Sequence, residues 1–171
     1  RTVVDDLQDL IDAGVDRPAA EHPSLDGEWV AYAVMWHEPP DFDMPMHADL
    51  RLANLTTGEI RVLRTYAPGR DPLRVYVTSV SLDYPWVGWK ETQEWWTVHA
   101  LNIETGVEHE IANSAVDLAL EGTTLTTESY MEIILFDLTT GANTHFGEGL
   151  PGGRMSPALA WPWLVWVDQR D

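Results

Sequence analysis

Alternating apolar and polar residues run through most of the chain, a pattern that predicts β-strands rather than helices. Three segments repeat one another: residues 50–59, 98–108 and 133–141. Each has an alternating strand, then Asn or Asp, and then Thr-Gly. The Asn or Asp side chain favours a local turn and Gly accepts the positive φ that reverses the chain, so each segment predicts the start of a β-hairpin.

A second apolar element precedes each hairpin and sets the period of the repeat. These elements start at residues 29, 86, 124 and 163, with spacings of 57, 38 and 39 residues. The last two spacings are close to the ~40 residues of a four-stranded propeller blade. Residues 75–82 and 115–120 supply a further, innermost strand. We therefore predict an all-β fold of about four β-propeller blades, the last one incomplete, with approximate bounds 21–66, 74–112, 115–147 and 154–171.

The repeat resembles the TolB-type, WD-like bacterial β-propeller family. The resemblance covers residues 21–171 and depends on the three Thr-Gly turns and on residues 166–171, Trp-Val-Asp-Gln-Arg-Asp. It implies a propeller, either part of a larger one or completed by another chain, and a location in the periplasm or at the cell surface. The stretched first period and the unfinished last blade depart from the family pattern. Such motifs specify turn chemistry and leave the function open.

The first twenty residues do not have the pattern of apolar residues that the repeats share. Leu7, Leu10 and Ile11 have helical spacing, acidic residues come before them and Gly14 follows, which favours a short helix. Residues 2–4, Thr-Val-Val, are alternatively a strand that completes the last blade. Because the chain starts at Arg1 and stops where a hairpin turn is due, we expect it to be a piece of a longer protein.

Charge and composition exclude several classes of partner. The formal net charge is −18, so phosphate backbones and anionic lipid surfaces should be repelled. No apolar stretch reaches the ~18 residues needed to cross a bilayer. The chain has no cysteine, which excludes disulfides and thiolate metal sites. We therefore expect a protein partner or self-association, with neither nucleic acid binding nor membrane insertion.

One loop is a candidate metal site. Residues 37–49 contain two histidines and four carboxylates, among which we single out His37, Asp41, Asp43 and His47. Oxygen ligands suit calcium, and the two imidazoles with a carboxylate would suit a transition metal. The spacing matches neither an EF-hand nor a zinc motif, so a solvated acidic loop is the competing interpretation. We expect no organic cofactor and keep calcium as the candidate ion.

Nine tryptophans offer either core packing or a surface for partners. Most of them are expected to pack between blades, including Trp163 and Trp166, which flank an apolar strand. Exposed indoles commonly dominate protein interfaces. Trp95 and Trp96, whose adjacent side chains point to opposite faces of a strand, are therefore candidate partner-binding residues, together with Trp166.

Catalytic motifs are weak. Residues 147–152 spell a dinucleotide-type glycine pattern, but Pro151 and Pro157 prevent the helix that such a site requires. Asp83, Glu91, His99 and Asp168 are candidates for chemistry at a central channel. Two functions remain: a non-enzymatic scaffold that binds a protein or its own copies through the unfinished edge at residues 163–168, or a propeller hydrolase or lyase that acts on polysaccharide or peptide.

Overall fold

The computed structural model describes residues 7–37, 46–66, 76–92, 96–113, 117–129, 132–147 and 154–168. One short helix precedes fourteen described strands. In chain order the elements are α1 (Gln8–Asp12), β1 (Asp16–Asp26), β2 (Trp29–His37), β3 (Met46–Asn54), β4 (Ile60–Tyr66), β5 (Tyr76–Asp83), β6 (Trp86–Thr92), β7 (Trp96–Asn102), β8 (Glu108–Asn113), β9 (Leu118–Glu121), β10 (Thr124–Ser129), β11 (Glu132–Asp137), β12 (Asn143–Phe146), β13 (Arg154–Ala160) and β14 (Trp163–Asp168).

The strands form antiparallel meanders in chain order. β1–β4, β5–β8 and β9–β12 each make a four-stranded sheet, and β13 and β14 make a two-stranded one. We call these sheets blades 1 to 4. The first strands of consecutive blades contact one another, β1 with β5, β5 with β9, and β9 with β13. The prediction of an all-β chain of propeller-type blades with an incomplete last one is therefore confirmed.

The apolar core lies in the seams between blades. Ala33, Leu50 and Leu52 of blade 1 pack with Val87 and Trp89 of blade 2. A second cluster joins blade 2 to blade 3 and includes Trp86, Val98, Leu125 and Phe136. Blade 2 thus buries its two faces against its neighbours, blades 1 and 3, as stacked propeller blades do.

The repeated turns have the chemistry that the sequence predicts. The Oδ1 atoms of Asn54, Asn102 and Asp137 each accept two backbone N–H bonds from the turn that follows, at 2.8–3.1 Å. The glycine that closes each turn has a φ of 74° or 75°. An L-residue with a Cβ rarely adopts this conformation, so Gly is required at these positions.

Blade 1 differs from the others in strand length and in its outer cover. β2 and β3 have nine residues each, against six or seven in the corresponding strands of blades 2 and 3, which accounts in part for the longer first period.

The predicted N-terminal helix is confirmed as α1. Leu7 and Leu10 pack it on the face of blade 1 that points away from blade 2. Residues 2–4, the alternative closing strand, lie outside the described residues.

Candidate functional site

Blade 4 presents an apolar face. Trp166 in β14 points toward blade 3, where its ring centre lies 6.4 Å from that of Phe146. Because alternate side chains of a strand point to opposite faces, Trp163, Val165 and Val167 point away from blade 3. They are 73%, 59% and 52% exposed. These three side chains are named here the free face of blade 4.

A comparison with blade 2 explains why this face is exposed. Trp163 pairs with Ala160 at the start of the second strand of blade 4, and Trp86 pairs with Asp83 at the same place in blade 2. Trp86 is 6% exposed because blade 3 covers it. The expectation that Trp163 packs between blades is therefore wrong for the described structure. Among the described residues, no blade lies against this face.

The edge of β14 is also available. Within the part of the chain that the structure describes, β14 pairs only with β13, whereas the second strand of every other blade pairs on both sides. An open edge presents unpaired N–H and C=O groups to another strand. Residues 155–167 contain no charged side chain, although the whole chain carries a net charge of −18. This combination makes the last hairpin the leading candidate for a contact surface.

One kind of hydrogen bond recurs between consecutive blades at one end of the stack. The carboxylate of Asp26 accepts the N–H of Tyr84, that of Asp83 accepts the N–H of Gly122, and that of Glu121 accepts the N–H of Trp161. In each case the acceptor ends the first strand of one blade and the donor lies in the first turn of the next. We call these three contacts the seam bonds.

The tryptophans predicted to bind partners have different surroundings. Trp95 lies outside the described residues. Trp96 is 45% exposed, and the Lys90 Nζ atom lies 3.7 Å from the centre of its ring. Trp166 is 37% exposed and borders the open edge of β14. Trp96 and Trp166 therefore both retain surface for a partner, but Trp166 is the one that belongs to the apolar hairpin.

The structure separates the two histidines of the predicted metal site. Trp36 pairs with His47 and stacks on it, with ring centres 5.3 Å apart, whereas His37 pairs with Met46. His37 and His47 therefore point to opposite faces of blade 1. Asp41 and Asp43 lie outside the described residues. No group of three or more His, Asp or Glu residues suited to a metal occurs within the described ranges.

Charged side chains of blades 2 and 3 form a buried cluster that the sequence did not reveal. Lys90 points toward blade 3, and Glu128 accepts the backbone N–H of Ser156 in blade 4. Lys90 is 2% exposed, and Glu128 is 4% exposed. Burial lowers the pKa of Lys90 to about 8, although the charges of Asp117 and Glu128 act in the opposite direction. Burial raises the pKa of Glu128, and the negative charge of Asp117 adds to this effect. The amine is enclosed, so its environment is that of a buried seam residue rather than of an accessible nucleophile.

The seam between blades 1 and 2 brings together two of the catalytic candidates. The His99 Nε2 atom lies 3.3 Å from the Glu91 Oε1 atom, and the Trp89 indole donates to the Tyr66 hydroxyl at 2.7 Å. Burial raises the pKa of Glu91, but hydrogen bonds from His99 and Tyr66 outweigh it, so the net shift is downward. Burial, together with the Glu91 carboxylate, raises the pKa of Tyr66. Glu91 is therefore held as a carboxylate, which suits a base and not an acid.

The remaining candidates do not join this pair. Asp83 makes a seam bond, and the side chain of Asp168 lies outside the description. Glu91 lies on the face of blade 2 that contacts blade 1, whereas Glu128 lies on the face of blade 3 that contacts blade 4, so the two carboxylates do not meet in one pocket. A groove of about 510 Å³ lies at the turn end of blades 2 and 3. Its walls include Tyr84, Trp86, Asn102, Thr123 and Leu138, and no carboxylate is among the described residues that line it.

Comparison with known proteins supports the fold and leaves the function open. No family model matches the chain, and no curated protein matches it. Among solved structures, the β-propeller domain of the Trilobed protease from Pyrococcus furiosus is similar over 89% of this chain, with 12% identity and a TM-score of 0.56. BamB from Moraxella catarrhalis is similar over 85%, with 11% identity and a TM-score of 0.47. The chain spans 53% and 57% of these two proteins.

Among the described residues, no helix has the length and apolarity to cross a membrane.

Proposed function

We propose that the chain is a non-enzymatic interaction module that binds a protein, either a partner or a further copy of itself, through the last hairpin. The observation that carries this proposal is the free face of blade 4 beside the open edge of β14. Exposed contiguous apolar patches on soluble domains commonly mark interaction sites. The stacked blades supply a rigid support for this surface.

The chemistry of the hairpin favours a protein over other ligands. Tryptophan side chains dominate the binding energy of many protein interfaces, and an open strand edge adds main-chain hydrogen bonds when a second strand joins it. The overall charge of −18 opposes anionic ligands such as nucleic acids. An apolar, charge-free strand is suited to another apolar protein surface. We further propose a TolB-type module in the periplasm or at the cell surface, a location supported by the resemblance of the repeats alone.

Site-specific photocrosslinking in cells of the source organism tests the proposal. A photoreactive benzophenone amino acid replaces Val165 on the free face, and a second variant carries it at Val62 of β4 as the matched control. Val62 is 51% exposed, close to the 59% of Val165, but lies on blade 1. We expect a discrete protein adduct from position 165 and none from position 62. No adduct at position 165, in a variant with the circular dichroism spectrum of the native chain, would overturn the proposal.

A further inference from the structure

We propose that the groove between the turns of blades 2 and 3 is a binding site for an uncharged peptide, which inserts the phenol ring of a tyrosine side chain. The groove lies inside the described blades and is separate from the last hairpin, so the site goes beyond the proposed function. A ring that one seam contains is missing from the next, and the groove lies at the place of the missing ring.

A tyrosine ring fills the turn end of the seam between blades 1 and 2. Tyr84, in the first turn of blade 2, stacks on Trp29 of blade 1 with ring centres 5.2 Å apart and planes 9° from parallel. Its hydroxyl donates to the Glu104 carboxylate in the turn between β7 and β8. An indole thus contacts the face of this ring, and an acceptor binds its hydroxyl.

The next seam has glycine in the place of that tyrosine. The backbone N–H of Gly122 donates to Asp83 as that of Tyr84 donates to Asp26, so Gly122 and Tyr84 occupy equivalent positions. In the third seam the equivalent residue is Trp161, which is again aromatic. A Cβ atom on Gly122 would have no atom within 4 Å apart from its neighbours in the chain. The middle seam is therefore open where the other two have an aromatic residue.

The groove of about 510 Å³ lies at this open position, because Gly122 is among its lining residues. Trp86 lines it as well and is the counterpart of Trp29, since Trp86 pairs with Asp83 as Trp29 pairs with Asp26. The volume falls within the ~300–1,000 Å³ of typical ligand sites. The gap left by the missing ring is therefore large enough for a ligand.

The indole of Trp86 gives the groove an aromatic wall. His109 stacks on Trp86 with ring centres 5.8 Å apart, in the way that Arg61 lies over Trp29 at 5.6 Å. Trp86 is 6% exposed, and because it lines the groove, part of this remaining surface faces the groove. Aromatic rings attract one another edge to face as well as stacked. An entering ring can therefore contact the indole without displacing His109.

The groove offers hydroxyl groups and no charge. Thr139 of blade 3 is the counterpart of Glu104, because the N–H of each donates to the Asn or Asp that starts the turn. Thr139 lines the groove, so its hydroxyl can accept the phenol proton of a ligand as Glu104 accepts that of Tyr84. Thr105 and Thr123 add further hydroxyls. No charged side chain is among the described residues that line the groove, which favours an uncharged ligand.

The exposure of the groove favours a peptide side chain over a free ring. Four of its lining residues, in three different turns, are exposed to solvent: Thr105, Val107, Thr123 and Thr139. A ring can therefore enter while the chain that carries it lies across the turns. A single ring has few atoms and gains little binding energy, whereas the peptide atoms beside it add contacts.

NMR titration of the ¹⁵N-labelled 171-residue chain tests the inference. The probes are acetyl-Gly-Tyr-Gly-amide, the same peptide with leucine in place of tyrosine, and 4-methylphenol, which is the tyrosine side chain alone. We expect the tyrosine peptide to shift the backbone N–H signals of Gly122 and Thr139 in a saturable way. The affinity of 4-methylphenol should be at least threefold lower, and that of the leucine peptide at least tenfold lower.

Two variants fill the groove from different turns. Thr139→Trp and Thr123→Trp should each lower the affinity for the tyrosine peptide at least tenfold, because an indole would occupy the place of the ligand ring. Thr56→Trp is the matched control. The N–H of Thr56 donates to the residue that starts its turn, as that of Thr139 does, but Thr56 lies in blade 1 and does not line the groove.

Each probe and variant can contradict one part of the inference. If neither the tyrosine peptide nor 4-methylphenol shifts these two signals, the groove is not a site for a phenol ring. Equal affinity for the leucine peptide would contradict the aromatic ligand, and tighter binding of 4-methylphenol than of the tyrosine peptide would contradict the peptide. Binding that survives both groove-filling variants, or that Thr56→Trp also removes, would overturn the site. The crosslinking result at position 165 is independent of all these outcomes.

Discussion

The carboxylate of Asp26 in blade 1 accepts a hydrogen bond of 2.9 Å from the backbone N–H of Tyr84 in blade 2. The same relationship joins Asp83 to Gly122 and Glu121 to Trp161, and the residues so joined are 58, 39 and 40 positions apart. These separations follow the period of the repeat. Each seam between described blades therefore has a charge-assisted bond of this kind in addition to its packing.

Removal of this bond should weaken the seam. Asp26→Ala leaves the partly buried N–H of Tyr84 without its acceptor, and we expect a loss of about 1–2 kcal/mol in the free energy of unfolding. Asp26→Asn retains an acceptor oxygen and should lose less. Glu28→Ala, an exposed acid in the adjacent turn, is the control. Urea denaturation measures all three; an equal loss for Asp26→Ala and Glu28→Ala would show that the bond contributes nothing specific.

Asp137 should make the stability of blade 3 depend on acid pH. The N–H groups of Thr140 and Thr139 lower the pKa of its carboxyl below the ordinary 3.8. A lowered folded-state pKa stabilises the native chain above pH 3.8, and this contribution disappears as the pH falls through the folded-state value.

The variant Asp137→Asn tests this directly, since Asn54 and Asn102 already occupy the same turn position in blades 1 and 2. We expect the native chain to lose stability relative to the variant as the pH falls through 3.8 and below. Denaturant midpoints measured from pH 7 down to pH 3 give the comparison. Parallel pH profiles for the two proteins would contradict the role of the carboxylate.

The part of the fold that sequence reasoning predicted is the part set by neighbours along the chain. The turn at Asn54 is decided within a few residues, so its motif predicts it. The pairing of Glu91 with His99 depends on the register of β6 and β7, which no short motif encodes. The same limit applies to Trp163, because its exposure depends on whether another sheet covers it. Its expected burial failed at this long-range level, and the opposite directions of His37 and His47 likewise depend on the register of β2 and β3.

Lys90 should titrate well below an ordinary lysine. Burial lowers its pKa to about 8 from 10.5, since the charged form loses water that the nearby carboxylates do not fully replace. It is the sole lysine of the chain, so ¹³C labelling of lysine gives a single side-chain signal that NMR can follow against pH. We expect a midpoint near 8 in the folded protein and near 10.5 in urea. A midpoint near 10.5 in both states would contradict the buried environment.

The same titration predicts a stability change. Because the lysine pKa is lower in the folded state, the unfolded chain binds more protons between pH 8 and pH 10.5, and the native state gains stability as the pH rises through this window. Lys90→Met should remove that gain, since no amine titrates there. Thermal unfolding at pH 7.5 and pH 10 compares the two proteins. A gain of equal size in the variant would assign the effect to other groups.

Arg51 couples α1 to blade 1 through two carboxylates of unequal burial. It contacts Asp49, which is 4% exposed, and Asp9, whose side chain is 62% exposed. Loss of the exposed partner should cost little, so for Asp9→Ala we expect about 0–1 kcal/mol. Arg51→Met removes the cation beside the buried Asp49 carboxylate and should cost about 3–5 kcal/mol.

A third variant separates two contributions to the loss in Arg51→Met: the lost attraction between Arg51 and Asp49, and the cost of leaving the Asp49 carboxylate buried without a cation. The double change Arg51→Met with Asp49→Leu removes both buried charges, and it should recover most of the stability that Arg51→Met alone loses, because apolar residues that fill the same volume are often as stable as a buried ion pair. Urea denaturation of the three variants supplies the comparison, and hydrogen exchange of α1 reports whether the helix stays docked. If the double variant is no more stable than Arg51→Met, the ion pair itself stabilises the cover on blade 1.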